Sequence, residues 1–274
     1  MDYLNSLFNL QNKVAVITGG SGVLGSEMAK GLLRAGASVI LLGTTEEKLT
    51  RTVESLRTIG ENIRGFRCDV LDKSAVQEIN SYVLDTFGSV DILINGAGGN
   101  MPGATIGINQ SVFDLDVEEF KKVTDLNLLG TVLPSLVFAK SMAERKSGSI
   151  INISSMAAAR AMTRVAGYSA AKAAIENFTK WLAMEMGLKF GDGIRVNAIA
   201  PGFLLTQQNK TLLTNSDGSM SERGKRVIAM TPFQRFGAPE ELVGTVLWLA
   251  SSASKFVTGA VIPVDGGFSI FSGV

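Results

Sequence analysis

Tyr168 and Lys172 stand four residues apart in the stretch GYSAAKAAIENF, Gly167 to Phe178. On a helix that spacing puts a phenol and an ammonium on one face, a turn from each other. The rest of the stretch is mostly apolar, so the pair is out of keeping with its surroundings. A free phenol titrates at about 10. A neighbouring ammonium stabilises the phenolate and lowers that value, which suits the phenol to general acid/base work. Taken alone, the two residues also fit a pair on a solvated surface. The chain has no histidine. His-based triads, His-ligated metal sites and the usual general base are thereby excluded. A phenol can do that work instead, and no metal site is expected.

The elements that must position this pair alternate regularly. Short apolar, β-branched runs begin at Lys13, Ala37, Asn62, Val90, Gly148, Gly193 and Gly259, and each reads as a buried strand. Helical patterns lie between them, at about Leu24–Arg34, Glu46–Arg57, Lys73–Thr86, Val117–Glu144, Gly167–Lys189 and Pro239–Ala250. This alternation predicts a single doubly wound α/β domain over residues 1–274, a seven-stranded parallel sheet with helices on both faces. No linker and no internal repeat interrupts it. One segment breaks the rhythm, Phe203 to Ala238, with a turn signal at Asp217-Gly218. Long excursions at a strand's C-terminal end are often lids or binding loops, and a helical decoration is the alternative.

Composition bounds the function. Of the 274 residues 46% are hydrophobic and 19% charged, enough for a real core and too apolar for disorder. Lys and Arg number 26 against 25 Asp and Glu, with no long basic stripe, so nucleic acid is not an expected partner. The small cluster Arg223, Lys225 and Arg226 reads as a solvated helix face. Cys68 is the lone cysteine, so no intrachain disulfide is possible. The opening MDYLNSLFNLQNK does not read as a signal peptide, and no run of 18 or more apolar residues suggests a membrane span. The expectation is a soluble, cytoplasmic protein of a reducing compartment.

Thr18 to Gly25, TGGSGVLG, follows the first strand and opens a helix. Glycines there let backbone amides approach a phosphate, and the helix N-terminus adds partial positive charge. The predicted contacts are Gly19, Ser21, Gly22, Val23 and Leu24. Many NAD binders end the second strand with an acid for the ribose hydroxyl, and NADP binders use Arg nearby. Here Gly43 and Thr44 stand at those places, so NAD and NADP both stay open. Asp69 and Val70 close the third strand; the Asp reads either as an adenine contact or as a cap for the helix starting near Asp72. Asn95 to Gly99, NGAGG, closes the fourth, where small residues such as Ala97 and Gly98 let a cofactor cross the backbone.

Taken together, TGGSGVLG, CDV, NGAG, LNLLGT, NISS, YSAAK, RVNAIAPG and PVDGG resemble the short-chain dehydrogenase/reductase family, from about Asn12 to Gly267. The resemblance implies a Rossmann-type domain, NAD or NADP, and usually a homotetramer built partly through the two long helices. It implies Tyr168 as general acid/base, Lys172 as its modulator and a ribose contact, and Ser155 as the carbonyl-polarising hydroxyl, favoured over Ser154 by its spacing to Tyr168. Asn127, mid-helix, would anchor a water linking the lysine to solvent; a helix kink or an interhelical hydrogen bond is the plain alternative. Pro201, Gly202 and Thr206 would face the nicotinamide. The sequence departs from the family at Val23, where the usual glycine is displaced to Gly22, and at NGAG for N-N-A-G.

GGSGVLG, NGAGGN, NISSMAA, NAIAPGFLLTQQN, DGSMSERG and TPFQRFG are also similar to the branch described as D-mannonate oxidoreductases, or fructuronate reductases. That resemblance implies a small-molecule sugar-acid substrate, D-fructuronate or D-mannonate. Arg160 and Arg164, bidentate partners for a carboxylate, and Asn100, Gln207, Asn209 and Lys210 are the candidate substrate contacts. Gluconate-type or polyol dehydrogenase and 3-oxoacyl reductase are alternatives within the family. A non-catalytic NAD(P) sensor is the alternative outside catalysis.

Overall fold

The structure is a computed structural model that describes residues 3–206 and 209–274. Seven strands, β1 (Val14–Thr18), β2 (Ser38–Gly43), β3 (Ile63–Arg67), β4 (Ile92–Asn95), β5 (Gly148–Ile153), β6 (Ile194–Pro201) and β7 (Val261–Val264), pair in parallel in the order β3-β2-β1-β4-β5-β6-β7. The order reverses between β1 and β4, and ligands of such sheets bind beyond the strand C-termini at that point. The helices are α1 (Tyr3–Phe8), α2 (Val23–Arg34), α3 (Glu46–Arg57), α4 (Lys73–Phe87), α5 (Val117–Thr124), α6 (Gly130–Arg145), α7 (Ala166–Phe190), α8 (Lys210–Leu213), α9 (Glu222–Ala229) and α10 (Val243–Ala250).

Strand pleating sorts the apolar residues into two layers. Ala15, Ile17, Val39, Leu41, Ile92 and Ile94 pack with α2, α3 and α10 on one face. Val14, Val16, Ile40, Leu42, Leu93 and Ile150 pack with α4, α6 and α7 on the other. The central strands are buried throughout, as expected. The edges are not: β3 exposes Arg64, Gly65 and Arg67, and β7 is only partly covered. An edge strand has one neighbour, and exposed charge there discourages pairing with another chain.

The expected helix near 117–144 is interrupted by a π turn at Asp125–Leu129. By length and apolarity Val117–Arg145 could cross a bilayer, but half of its most apolar window is buried, and α6 packs on β4, β5 and α7. The excursion after β6 folds as α8 and α9. A separate apolar cluster anchors it, joining Leu213 and Val227 to Met156 and Phe268, with Met162, Phe203, Leu205, Met230 and Phe236 around them.

At the N-terminal edge of the sheet Asp91 ties three segments. Its carboxylate accepts the Val14 N–H at 3.0 Å and the Ser89 hydroxyl at 3.0 Å, with Lys13 at 3.3 Å and Arg145 at 3.5 Å. Burial pushes the Asp91 carboxyl up, but the Val14 amide, Lys13 and Ser89 outweigh it and hold the group below the ordinary range. Its contribution to stability is therefore complete above the ordinary carboxylate value and is lost as pH falls through the lowered folded value. Asp91→Ala should cost about 3 kcal/mol in urea unfolding at neutral pH. Because the residue lies at the edge away from the strand C-termini, kcat should stay within about twofold.

Candidate active site

The turn between β1 and α2 is built for close approach. Gly19 has φ +66°, and a Cβ there would stand 2.7 Å from the Gly96 carbonyl oxygen. A Cβ on Gly25 would lie 2.4 Å from the Gly19 oxygen, so α2 packs directly on the turn. Gly22 is the N-cap, extended at φ −76°, and no side chain caps the helix. Its first-turn amides are thus left for an anion. Val23 is the first helical residue and needs no left-handed conformation, so the displaced glycine leaves the turn intact. Thr18 Oγ1 accepts the N–H groups of Gly96 and Ala97, both at 3.1 Å, and locks β1 to the loop after β4. Thr44 and Asp69 are exposed at the ends of β2 and β3. Asp72, not Asp69, caps α4, which leaves Asp69 facing solvent with one bond to the Leu71 N–H. This cradle of bare backbone, free helix amides and exposed hydroxyl and carboxylate groups fits a dinucleotide.

The second group of residues meets at the ends of β5 and α7. Lys172 is 4% exposed, and its Nζ donates to the Ile153 carbonyl at 2.8 Å. The ammonium lies over the Tyr168 ring, 5.5 Å from the centroid. Ser155 stands beside the Tyr168 phenol, and its Oγ accepts the Ala157 N–H at 3.1 Å. Ser154 points elsewhere: its hydroxyl donates to Glu176 Oε1 at 2.8 Å. Of the two serines, Ser155 is the one placed beside the phenol. Asn127 sits in the π turn, fully buried. Its Nδ2 donates to Val123 O at 2.8 Å and Gly99 O at 2.9 Å, and its Oδ1 accepts the Gly99 N–H at 3.0 Å. The bond to Val123 competes for the acceptor that a regular helix would offer to the Asn127 N–H. A Cβ on Gly98 would fall 2.5 Å from Asn127 Oδ1 and 3.5 Å from Lys172 Nζ, so only glycine fits above them.

The electrostatics differ from the sequence expectation. Burial pushes the Tyr168 phenol up, and the neighbouring Ser155 hydroxyl only partly offsets this. Burial lowers Lys172 to about 8. The ammonium rests on the ring face and on a carbonyl, not on the phenol oxygen, so desolvation prevails. The phenol is consequently held protonated at neutral pH, the form that can donate to a carbonyl oxygen.

Several predicted contacts are reassigned. Asn95 is 1% exposed, and its Nδ2 donates to Ser135 Oγ and Asn152 Oδ1, both at 2.8 Å. Its side chain braces β4 against α6 and β5. Val70 is buried against Gly130 and offers only its backbone. Arg160 donates from Nε to Ser269 O at 2.8 Å and from a terminal nitrogen to Phe271 O at 2.7 Å. It is engaged by the segment after β7, which removes it as a simple carboxylate ligand. Arg164, at φ +75°, donates from Nε to the Ile106 carbonyl and accepts the Ile106 N–H at 3.1 Å. Asn100 bonds Thr105, and Asn209 braces its own loop through the Thr206 N–H and the Leu204 carbonyl. Pro201 and Gly202 lie at the mouth of β6, Thr206 is half-buried and Lys210 is exposed. Gln207 lies outside the described residues. Sequence reasoning missed Thr18 and Glu176, whose roles rest on partners far along the chain.

The family profile described as enoyl-(acyl carrier protein) reductase matches residues 21–269. The uncharacterized oxidoreductase UxuB of Bacillus subtilis is 49% identical over 275 residues, covering 97% of this chain and 98% of its own. This chain is a short-chain dehydrogenase/reductase. Among solved members of this family, a proposed D-mannonate oxidoreductase from Haemophilus influenza with bound NAD matches with TM-score 0.91 and 42% identity, over 97% of this chain and 98% of that one. A gluconate 5-dehydrogenase from Burkholderia cenocepacia in complex with NADP and tartrate matches with TM-score 0.84 and 29% identity, over 96% and 99%. The short-chain dehydrogenase/reductase is an NAD(P)-dependent oxidoreductase acting on alcohol groups.

For this dehydrogenase, Tyr168→Phe should lower kcat at least about 1000-fold with cofactor binding kept, and Ser155→Ala about 100-fold. Ser154→Ala should stay within about threefold, because its hydroxyl faces Glu176. Lys172→Met should abolish most activity yet leave the protein no less stable at pH 7. A buried ammonium lowered to about 8 is penalised below that pH, and the penalty fades as pH rises toward 10.5. The variant's gain, about 2 kcal/mol after loss of the Ile153 bond, should therefore shrink on going alkaline. Melting curves at pH 7 and pH 10 check the sign.

Proposed function

We propose that this enzyme reduces a keto sugar acid, D-fructuronate to D-mannonate, and runs the reverse oxidation. The observation that carries the reaction type is the Ser155 hydroxyl beside the half-buried Tyr168 phenol, with the Lys172 ammonium over its ring; partial burial raises the phenol above its ordinary value and so keeps it protonated. The substrate class is supported by the likeness to the proposed D-mannonate oxidoreductase and to the tartrate-bound gluconate 5-dehydrogenase.

Bound NADH or NADPH supplies the hydride. Ser155 and Tyr168 both donate hydrogen bonds to the substrate carbonyl oxygen, and Tyr168 gives up its proton as that oxygen becomes an alcohol. Lys172 stabilises the phenolate left behind. Asn127 holds the Gly98-Gly99 loop over the lysine and excludes bulk there. In the reverse direction the phenolate takes the alcohol proton. Thr44 and Asp69 meet the adenosine half of the cofactor, with the α2 amides on the pyrophosphate. The sugar carboxylate falls to Arg164, whose terminal nitrogens have no hydrogen-bond partner among the described residues, with the exposed Lys210 of the excursion as a second cation. Exposed Leu129 at the end of the π turn, Leu136 on α6 and Trp181, Met184 and Leu188 on α7 make an apolar surface suited to a homotetramer. The gluconate 5-dehydrogenase likeness supports a second reading, a gluconate-type substrate.

The test is absorbance at 340 nm, following NADH and NADPH separately with D-fructuronate. Fast oxidation of one cofactor, lost in Tyr168→Phe, is expected. No change with either, alongside turnover of 5-ketogluconate, would reject the mannonate reading in favour of the gluconate type. The reductive rate should hold below pH about 8 and decline above it, as the Tyr168–Lys172 pair loses its first proton.

A further inference from the structure

Strand β7 runs parallel to the other six, so Val264 delivers the following residues to the edge of the sheet that carries Gly19, Ser155 and Pro201. Asp265 packs so closely on Gly202 that a Cβ there would stand 2.6 Å from the Asp265 Cα, and the Gly202 N–H donates to Val264 O at 3.0 Å. The Asp265 carboxylate accepts the N–H groups of Gly267 at 2.9 Å and Ser269 at 2.7 Å, which folds the segment back on itself. Phe268 is then 8% exposed, edge-on to Phe203 at 5.2 Å, in the cluster that also holds Met156 and the excursion residues Leu213 and Val227. The Phe233 N–H donates to Gly266 O at 3.2 Å, a second tie to the excursion.

Arg160 completes this arrangement. It stands between Ser155 and Tyr168, and its guanidinium holds the carbonyls of Ser269 and Phe271. Two bonds from one rigid fork fix direction as well as distance. We infer that residues 265–271 form a wall of the substrate site, and that Arg160 is the positioning residue that sets this wall, and through it the excursion, against Ser155 and Tyr168. The inference rests on the assignment of Ser155 and Tyr168 to the reacting carbonyl, not on which carbonyl is reduced. The β1–α2 turn, which would hold the pyrophosphate, is tied differently, through Thr18 and the loop after β4, so it should not sense Arg160.

The test compares wild type with Arg160→Ala, Arg160→Lys and a deletion of residues 270–274, which removes the Phe271 acceptor and keeps Phe268. KM for whichever carbonyl the wild type reduces should rise about tenfold in Arg160→Ala and in the deletion, with kcat within about threefold and the NADH Kd within about twofold. Arg160→Lys should recover only part of the loss. The deletion added to Arg160→Ala should cost nothing further, as expected of two ends of one contact. Amide hydrogen exchange in 209–238 should quicken while the β1–α2 turn is unchanged. Unaltered KM and exchange would overturn the inference. So would a parallel change in NADH affinity and in exchange of the turn, which would make Arg160 a residue of the whole fold. If Arg160→Ala does not fold, the deletion alone decides. Absence of any sugar-acid turnover in wild type would reject the substrate assignment, and the exchange measurement would still judge the wall.

Discussion

The buried ammonium of Lys172 is the constraint around which the candidate site is arranged. A charge at 4% exposure loses most of its hydration, and burial alone brings the group down to about 8. Partial compensation comes from the Ile153 carbonyl and the Tyr168 ring. Neither is a full counter-charge. The cation is therefore held in wait for a negative charge that develops on the phenol oxygen as its proton leaves. A neutral phenol gains little from that neighbour, whereas a phenolate gains much, and interactions that grow along the reaction are the ones that accelerate it. The bare backbone of Gly98, 3.5 Å from Nζ for a Cβ built there, and the π turn that brings in Asn127 leave room for this cation beside the tyrosine.

The C-terminal edge of the sheet is divided between two ways of holding a ligand. Around β1 and β4 the contacts are backbone, glycine and a buried threonine, so geometry is set by the sheet itself. Around β5, β6 and β7 the walls come from longer segments that share a small apolar cluster of their own. The first arrangement suits an invariant dinucleotide. The second lets side chains on the excursion and after β7 change without disturbing the main core, which is how one fold comes to serve many substrates.

Much of this was legible in the residue order because parallel strands buried on both faces leave a nearly continuous apolar signature, broken by glycine turns at their ends. The helix spacing of Tyr168 and Lys172 likewise placed both on one face. Pleat parity carried more than was read from it. Asn95 lies two residues beyond Leu93, which faces α6, so its side chain shares that face and turns away from the cofactor edge. The same parity puts Ile150, Asn152 and Ser154 toward the α7 side, leaving the next serine for the site. Arg160 and Arg164 could not be resolved this way. Their partners, Ser269, Phe271 and Ile106, are backbone carbonyls far along the chain, and a carbonyl has no signature in sequence.

The opposite shifts of Tyr168 and Lys172 are two views of one coupled pair. Burial disfavours each charged form separately, raising the phenol and lowering the ammonium. Once one proton has left, the remaining one can sit on the amine, giving phenolate beside ammonium, or on the phenol, giving two neutral groups. The first arrangement is favoured by mutual attraction in a poorly solvated pocket, the second by the absence of any charge to bury. A ligand oxygen that donates to the phenolate tips the balance toward the ion pair, because it replaces the hydration that burial removed. The proton-accepting form of the site is thus completed by the alcohol it acts on. The donating form is already present without it, since the fully protonated pair needs only a carbonyl oxygen placed between Ser155 and Tyr168.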